Sequence, residues 1–216
     1  MITAKVKKLF IFDLDGTLVD AYQAISASLN FCRDKFGYEP VAFEVIKSNI
    51  GHGDKNFVAQ FFPKNQVEKA LSLYRTHHKG SLKKHAKLKP YAKAMLYNLK
   101  RRKKLLAIAS NRPAAYTDIV VKALDIKKYF DFILCADQIN SLKPKPKILF
   151  EVLKKLDVQI QDAVYAGDMD VDMDTAQRAK MDAIFVAGGS STVQEVSQYK
   201  NKIIVNVLKE VCGNFQ

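Results

Sequence analysis

From Pro90 onward the chain alternates short apolar runs with stretches of helical periodicity, and every apolar run stops on polar residues or glycine. Leu105–Ala109 stops at Ser110-Asn111-Arg112, Phe130–Cys135 at Ala136-Asp137, Ala163–Ala166 at Gly167-Asp168 and Ala183–Val186 at Gly188-Gly189. Ile203–Val207 is a candidate last edge strand. Between these runs, Tyr91–Lys100, Ala114–Leu124 and Ile148–Leu156 carry apolar residues at helical spacing, and a further helix follows Asp168 towards Ala179. Pro146 stands where a helix start tolerates it. Strand–helix alternation of this kind predicts an α/β fold: a mostly parallel, doubly wound, Rossmann-like sheet covered by helices on both faces. Such sheets gather their chemistry at the carboxyl ends of the strands. The polar residues of interest in this chain all fall at those ends or just beyond.

The first strand fits the same rule. Val6–Phe12 is a β-rich run that ends on Asp13 and Asp15. A side-chain period of two sends both carboxylates out on one side. Held that close they repel, so the pair needs a cation or a shared proton. Gly16 permits a sharp turn and Thr17 adds a hydroxyl. A capped strand-to-helix turn with ordinary surface aspartates is the plainer alternative. The next stretch, 21–87, holds no convincing strand pair. Ala24, Ile25, Leu29, Phe31, Cys32 and Phe36 recur at helical spacing before Gly37. Phe43–Ser48, Phe57–Phe62 and Val67–His78 are further helical candidates, broken by Gly51-His52-Gly53 and Pro63. The expected organisation is a core of residues 1–20 and 88–216 with a small all-helical cap, 21–87, inserted after the first strand. Connecting helices of a single domain would give the same pattern.

With 216 residues, 48% hydrophobic and 26% charged, the chain suits one α/β domain with a modest insertion. No apolar run approaches the ~20 residues that span a bilayer, and Lys5, Lys7 and Lys8 interrupt any leader-like segment. Cys32, Cys135 and Cys212 are few, odd in number and without CxxC spacing, which fits thiols of a reducing, cytoplasmic compartment. The net charge of +13 includes Lys100–Lys104 and a cluster of Lys83, Lys84, His85, Lys87 and Lys89. No aromatic residues interleave with the first run and no nucleic-acid motif accompanies either, which argues against nucleic acid as the partner. Cations suit a helix C-terminus, and an excess of them favours approach of an anionic ligand.

The stretch Asp13-Leu-Asp-Gly-Thr17 followed by Leu18 resembles the nucleophile motif of the haloacid dehalogenase-like hydrolases. Ser110, Lys143 and the run Gly167–Asp174 resemble the family's other three motifs, in the family's order. A helical insertion directly after the first motif resembles members with a C1-type cap, the phosphoglycolate phosphatase-like and β-phosphoglucomutase-like proteins. The resemblance implies a Mg²⁺-dependent phosphatase acting on a small phosphorylated metabolite. Asp13 is then the nucleophile that forms an aspartyl-phosphate, and Asp15 is the acid and base. Gly16, Thr17, Ser110, Asn111 and Lys143 serve the phosphate. Asp13, Asp15 (through its carbonyl), Asp168 and Asp172 serve the metal. In Leu142-Lys-Pro-Lys-Pro-Lys147 the family pattern KPxP selects Lys143 over Lys145. GDxxxDxxxAxxA is met by Gly167, Asp168, Asp172, Ala176 and Ala179, although Lys180 and Met169 depart from the customary residues. A calcium loop starting at Asp168 fails, because Met173 and Ala179 stand where glycine and glutamate are required. His52 and Arg75 are candidates for substrate specificity in the cap. The alternatives are a β-phosphoglucomutase-like phosphotransferase and, from another class, a non-catalytic module with a basic, nucleic-acid-contacting surface. A monomer or homodimer is expected.

Overall fold

A computed structural model describes residues 6–51 and 53–214. In chain order the elements are β1 (Leu9–Phe12), β2 (Val19–Asp20), α1 (Tyr22–Lys35), α2 (Phe43–Ser48), α3 (Asp54–Ala59), α4 (Val67–His85), β3 (Lys87–Leu88) and α5 (Ala92–Arg101). There follow β4 (Leu105–Ser110), α6 (Ala114–Ala123), β5 (Phe132–Cys135), α7 (Ala136–Ile139), α8 (Lys147–Leu156) and β6 (Ala163–Gly167). The chain closes with α9 (Asp170–Ala179), β7 (Asp182–Val186), β8 (Lys202–Val205) and α10 (Val211–Asn214).

Six strands form one parallel sheet in the order β5-β4-β1-β6-β7-β8. The α/β doubly wound fold is therefore the one expected from the sequence. β1 is central, and all four of its residues are fully buried. Pleating sends them to opposite faces. Phe10 and Phe12 pack with Leu106, Ile108, Val164 and Ala166. Leu9 and Ile11 pack with Ala107, Ala109, Ala163 and Tyr165 on the other side. Each fully buried Phe or Leu contributes ~1.5–3 kcal/mol by leaving water, so covering both faces of the middle strand fixes it firmly. The ladder continues past β1, where the Asp13 N–H donates to the Ala166 carbonyl at 2.8 Å. The first carboxylate thus starts from a rigid strand end.

α1–α4 assemble around a core of their own, with Leu29, Ile46, Phe57, Val58, Phe62, Leu71 and Tyr74 buried. α1 packs along α4, and α4 also rests against α6. Both chain crossings into this helical unit run through a two-stranded antiparallel pair, with Val19 opposite Leu88 and Asp20 opposite Lys87. The pair is too short to leave a sequence signal.

Several boundaries shift for identifiable reasons. β1 starts at Leu9, not Val6, because Lys7 turns inward, donating to the Gln161 carbonyl at 2.7 Å and the Asp182 carboxylate at 2.6 Å. The helix expected at Phe57–Phe62 occupies Asp54–Ala59, with Asp54 in its first turn where an acid is favoured. α4 runs to His85 instead of stopping at His78, ending in Lys83, Lys84 and His85.

Candidate active site

The carboxyl ends of β1, β4 and β6 converge. Asp13 and Asp15 follow β1, Ser110 ends β4, Asn111 and Arg112 follow it, and Asp168 follows β6. Lys143 enters from the segment between α7 and α8. Asp13 (5% exposed), Lys143 (4%), Asp168 and Asp172 (both 0%) are buried together. Carboxylate oxygens of Asp13, Asp168 and Asp172 all lie within 4.8 Å of one another.

Lys143 is the cation inside this cluster. Its Nζ donates to Asp13 Oδ1 at 2.7 Å, Asp172 Oδ1 at 2.7 Å and the Tyr165 hydroxyl at 2.9 Å. Burial works against its charge, yet the facing Asp13 and Asp172 carboxylates hold its pKa well above the ordinary lysine value. Three carboxylates against one ammonium leave surplus negative charge. Burial, with Asp172 and Asp168 adding repulsion, therefore pushes Asp13 up to about 8 against the pull of Lys143. A proton on Asp13 or a further cation would relieve that surplus.

Asp168 is held by donors from three directions. The Thr17 hydroxyl donates to Oδ1 at 2.8 Å, while Oδ2 accepts from the Tyr22 hydroxyl at 3.2 Å and the Ser190 N–H at 2.8 Å. Burial first, then Asp172, pushes its pKa up to about 6, and the Ser190 and Thr17 bonds oppose the rise. Two glycines make room for it. A Cβ on Gly16 (φ +81°) or on Gly189 would overlap the Asp168 carboxylate, so at both positions only glycine lets the backbone come so close. Asp172 accepts from Lys143 and Tyr165 (2.8 Å) on Oδ1 and from the Met169 N–H (3.1 Å) on Oδ2. Both its oxygens are engaged, as are those of Asp168, and it meets the Lys143 ammonium together with Asp13.

A half-open cavity of about 70 Å³ sits over Asp13, Asp15, Ser110, Asn111, Arg112 and Lys143, walled by Ile25, Ile50, Phe57, Tyr74, Tyr116 and Met169. The strand ends supply its polar floor and the helical unit most of its apolar wall. Among the described residues, Oδ2 of Asp13 accepts no hydrogen bond.

The sequence-expected residues divide into three groups. Asp13, Asp15, Ser110, Asn111 and Lys143 line the cavity. Gly16 and Thr17 lie beside it but serve Asp168: the Thr17 hydroxyl, assigned from sequence to the phosphate, is bonded to that carboxylate. The Asn111 side chain is also committed, accepting from the Lys143 N–H at 2.8 Å and donating to the Gly51 carbonyl at 2.8 Å. Arg75 stands outside the cavity, its guanidinium engaged by Asp54 at 2.8 and 3.1 Å. His52 lies outside the described residues.

Sequence reasoning missed Arg112, Tyr165 and Tyr22. Arg112 forms a two-point pair with Asp15 at the cavity floor, and its place straight after a strand end was the available signal. Tyr165 left none, because a tyrosine inside an apolar run reads as core, and Tyr22 reads as one more residue of the helical stretch after Asp20.

The sequence model of the family described as "Haloacid dehalogenase-like hydrolase" matches residues 10–186. Phosphoglycolate phosphatase of Pseudomonas fluorescens is 25% identical over 214 residues, covering 95% of this chain and 78% of its own. The plasmid-borne phosphoglycolate phosphatase of Cupriavidus necator is 28% identical over 185 residues, covering 83% of this chain and 80% of its own. Among solved structures, a haloacid dehalogenase-like family hydrolase from Streptococcus pneumoniae superposes with a TM-score of 0.86 at 22% identity, covering 99% of both chains.

Proposed function

This chain belongs to the haloacid dehalogenase-like hydrolases, and we propose that it is a phosphatase that hydrolyses a small phosphomonoester through an aspartyl-phosphate on Asp13. An enzyme is favoured over a non-catalytic binding module, because a candidate nucleophile, a second carboxylate and a lysine meet at the cavity floor. Several relatives bear the name phosphoglycolate phosphatase, and the small cavity over Asp13 favours a small ester. The observation that carries the reading is the buried trio of Asp13, Lys143 and Asp168 beneath that cavity.

The oxygen-only donor set fits Mg²⁺. Three buried carboxylates with one ammonium among them lack positive charge, and burial lifts the Asp13 pKa to about 8, so a further cation is favoured there. Asp13 and Asp168 would hold the ion, with Asp172 behind them. Bound there, a divalent ion neutralises phosphoryl oxygens and the Asp13 carboxylate alike.

The chain's own groups account for the rest. The free Oδ2 of Asp13 attacks phosphorus, the ester P–O bond breaks, and Asp15 delivers a proton to the departing oxygen. Asp15 then takes a proton from water, which attacks the aspartyl-phosphate, releasing phosphate and restoring Asp13. Lys143 keeps Asp13 oriented and balances the charge on the phosphoryl group. The Ser110 hydroxyl and the Asn111 backbone N–H are the further donors to the phosphate. Residues 21–87 act as a cap, α3 and α4 enclosing the leaving group.

Turnover of p-nitrophenyl phosphate and a panel of phosphomonoesters, phosphoglycolate included, tests this. Activity should require Mg²⁺ and disappear both in Asp13→Asn and on chelation. A purified, folded protein that turns over no ester in the panel overturns the reading.

A further inference from the structure

We propose that Arg112 is the positioning residue for Asp15, fixing that carboxylate for its two proton transfers; the inference rests on the acid–base role given to Asp15 above. Arg112 leaves the end of β4 and Asp15 the end of β1, which are neighbouring strands. Nε donates to Oδ2 at 2.7 Å and Nη2 to Oδ1 at 2.5 Å, a fork meeting both oxygens at once. The two side chains are only 5% and 14% exposed, so the pair is held away from bulk water at the cavity floor.

The rest of the guanidinium separates this role from that of a structural strut. Nη1 is buried and meets no hydrogen-bond acceptor. A guanidinium carries five N–H donors that could reach several acceptors. Every side-chain bond Arg112 makes among the described residues goes to Asp15, and a guanidinium nitrogen is left unmatched to keep it so. The neighbouring His78 adds no competing charge, because burial and then the Arg112 charge itself push its pKa down to about 3.

The chemistry explains why arginine serves here. A carboxylate on a short, rotatable side chain must face the leaving oxygen in one half-reaction and water in the next. A planar fork locks the carboxylate plane, while each oxygen keeps a lone pair for the travelling proton. Arginine stays protonated throughout and never competes for that proton, whereas a lysine's single point charge does not define the plane.

Leaving-group dependence reads this directly. The value of kcat/KM reports the first half-reaction, in which glycolate leaving from phosphoglycolate needs a proton and nitrophenolate leaving from p-nitrophenyl phosphate needs almost none. Arg112→Lys keeps the charge and loses the fork. It should lower kcat/KM for phosphoglycolate, or for whichever alkyl phosphate the panel selects, by about 100-fold or more. It should lower kcat/KM for p-nitrophenyl phosphate far less. Asp15→Asn should likewise lose far more on the alkyl ester than on p-nitrophenyl phosphate, and Arg112→Lys added to Asp15→Asn should cost little more. Equal losses on both esters would assign Arg112 to general structure, and no loss on either would make it dispensable; each result overturns the proposal while the phosphatase reading stands. An Asp15→Asn variant that hydrolyses the alkyl ester normally would remove the acid–base assignment itself, and the proposal with it.

Discussion

Raising the pH on chelator-treated protein should loosen it, and Asp13 sets the size of the effect. The group's ordinary value is 3.8 and burial lifts it to about 8 in the folded protein. Between those values the native state holds a proton that the unfolded chain has released. The stability supplied by that proton is complete below about 3.8 and is lost as the pH rises through about 8. Each pH unit inside the interval costs about 1.4 kcal/mol. In the window from pH 6.5 to 8 Asp13 dominates. That window lies above the Asp168 value of about 6. It also starts at the ordinary histidine value of 6.5, so His78, depressed to about 3, has only roughly 0.4 kcal/mol of its opposite contribution left to add. Over 1.5 units the loss is at most about 2 kcal/mol, or roughly 4–8 °C in melting temperature for a chain of this length. Thermal unfolding in EDTA at the two pH values measures it. Saturating Mg²⁺ should shrink the difference by supplying the missing positive charge. Asp13→Asn should abolish it, leaving the inactive variant more stable than the parent at pH 8. A midpoint in EDTA that stays level or rises across the window would refute the charge argument, as would an Asp13→Asn protein that keeps the full drop.

Three further outcomes follow from the packing of the site. Lys143→Met removes the ammonium from between Asp13 and Asp172, so turnover should vanish and unfolding at pH 8 without metal should cost about 3–5 kcal/mol less than in the parent; a variant of parental stability would contradict the buried-pair geometry. Gly189→Ala drives a methyl group into the Asp168 carboxylate, and the Mg²⁺ concentration for half-maximal activity should rise about 10–100-fold, as a metal titration of initial rates will show. Phe57→Ala empties a buried position in the helical unit that also walls the cavity. It should lower stability by about 3–5 kcal/mol in urea unfolding and raise KM, and an unchanged KM would mean that α3 does not enclose the substrate.

The fold was legible because β1, β4, β6 and β7 are apolar runs with no competing helical pattern, each punctuated by glycine or a charged residue. Periodicity also located α1, α2 and α4, yet it misjudged where α3 begins and where α4 ends, since tertiary packing settles helix ends. Asp13, Lys143 and Asp168 were readable because their motifs fix type and spacing together. The use of each hydroxyl and amide was not readable. Thr17 bonding Asp168 across 151 positions and Asn111 joining Gly51 to the Lys143 backbone depend on which strands lie adjacent. Arg112 was passed over for a related reason: a lone arginine after a strand looks solvated until its partner is seen.

The short β2–β3 ladder has a mechanical consequence. Both tethers of the helical unit cross to the sheet side by side, so rocking about a single shared hinge is the softest motion open to that unit. The hinge line reaches the first carboxylate loop: Gly16 donates its N–H to Val19 at 2.7 Å, and Asp15 bridges to the same residue. Any swing of the helical unit about that line would therefore be felt first at the segment that bears Asp15.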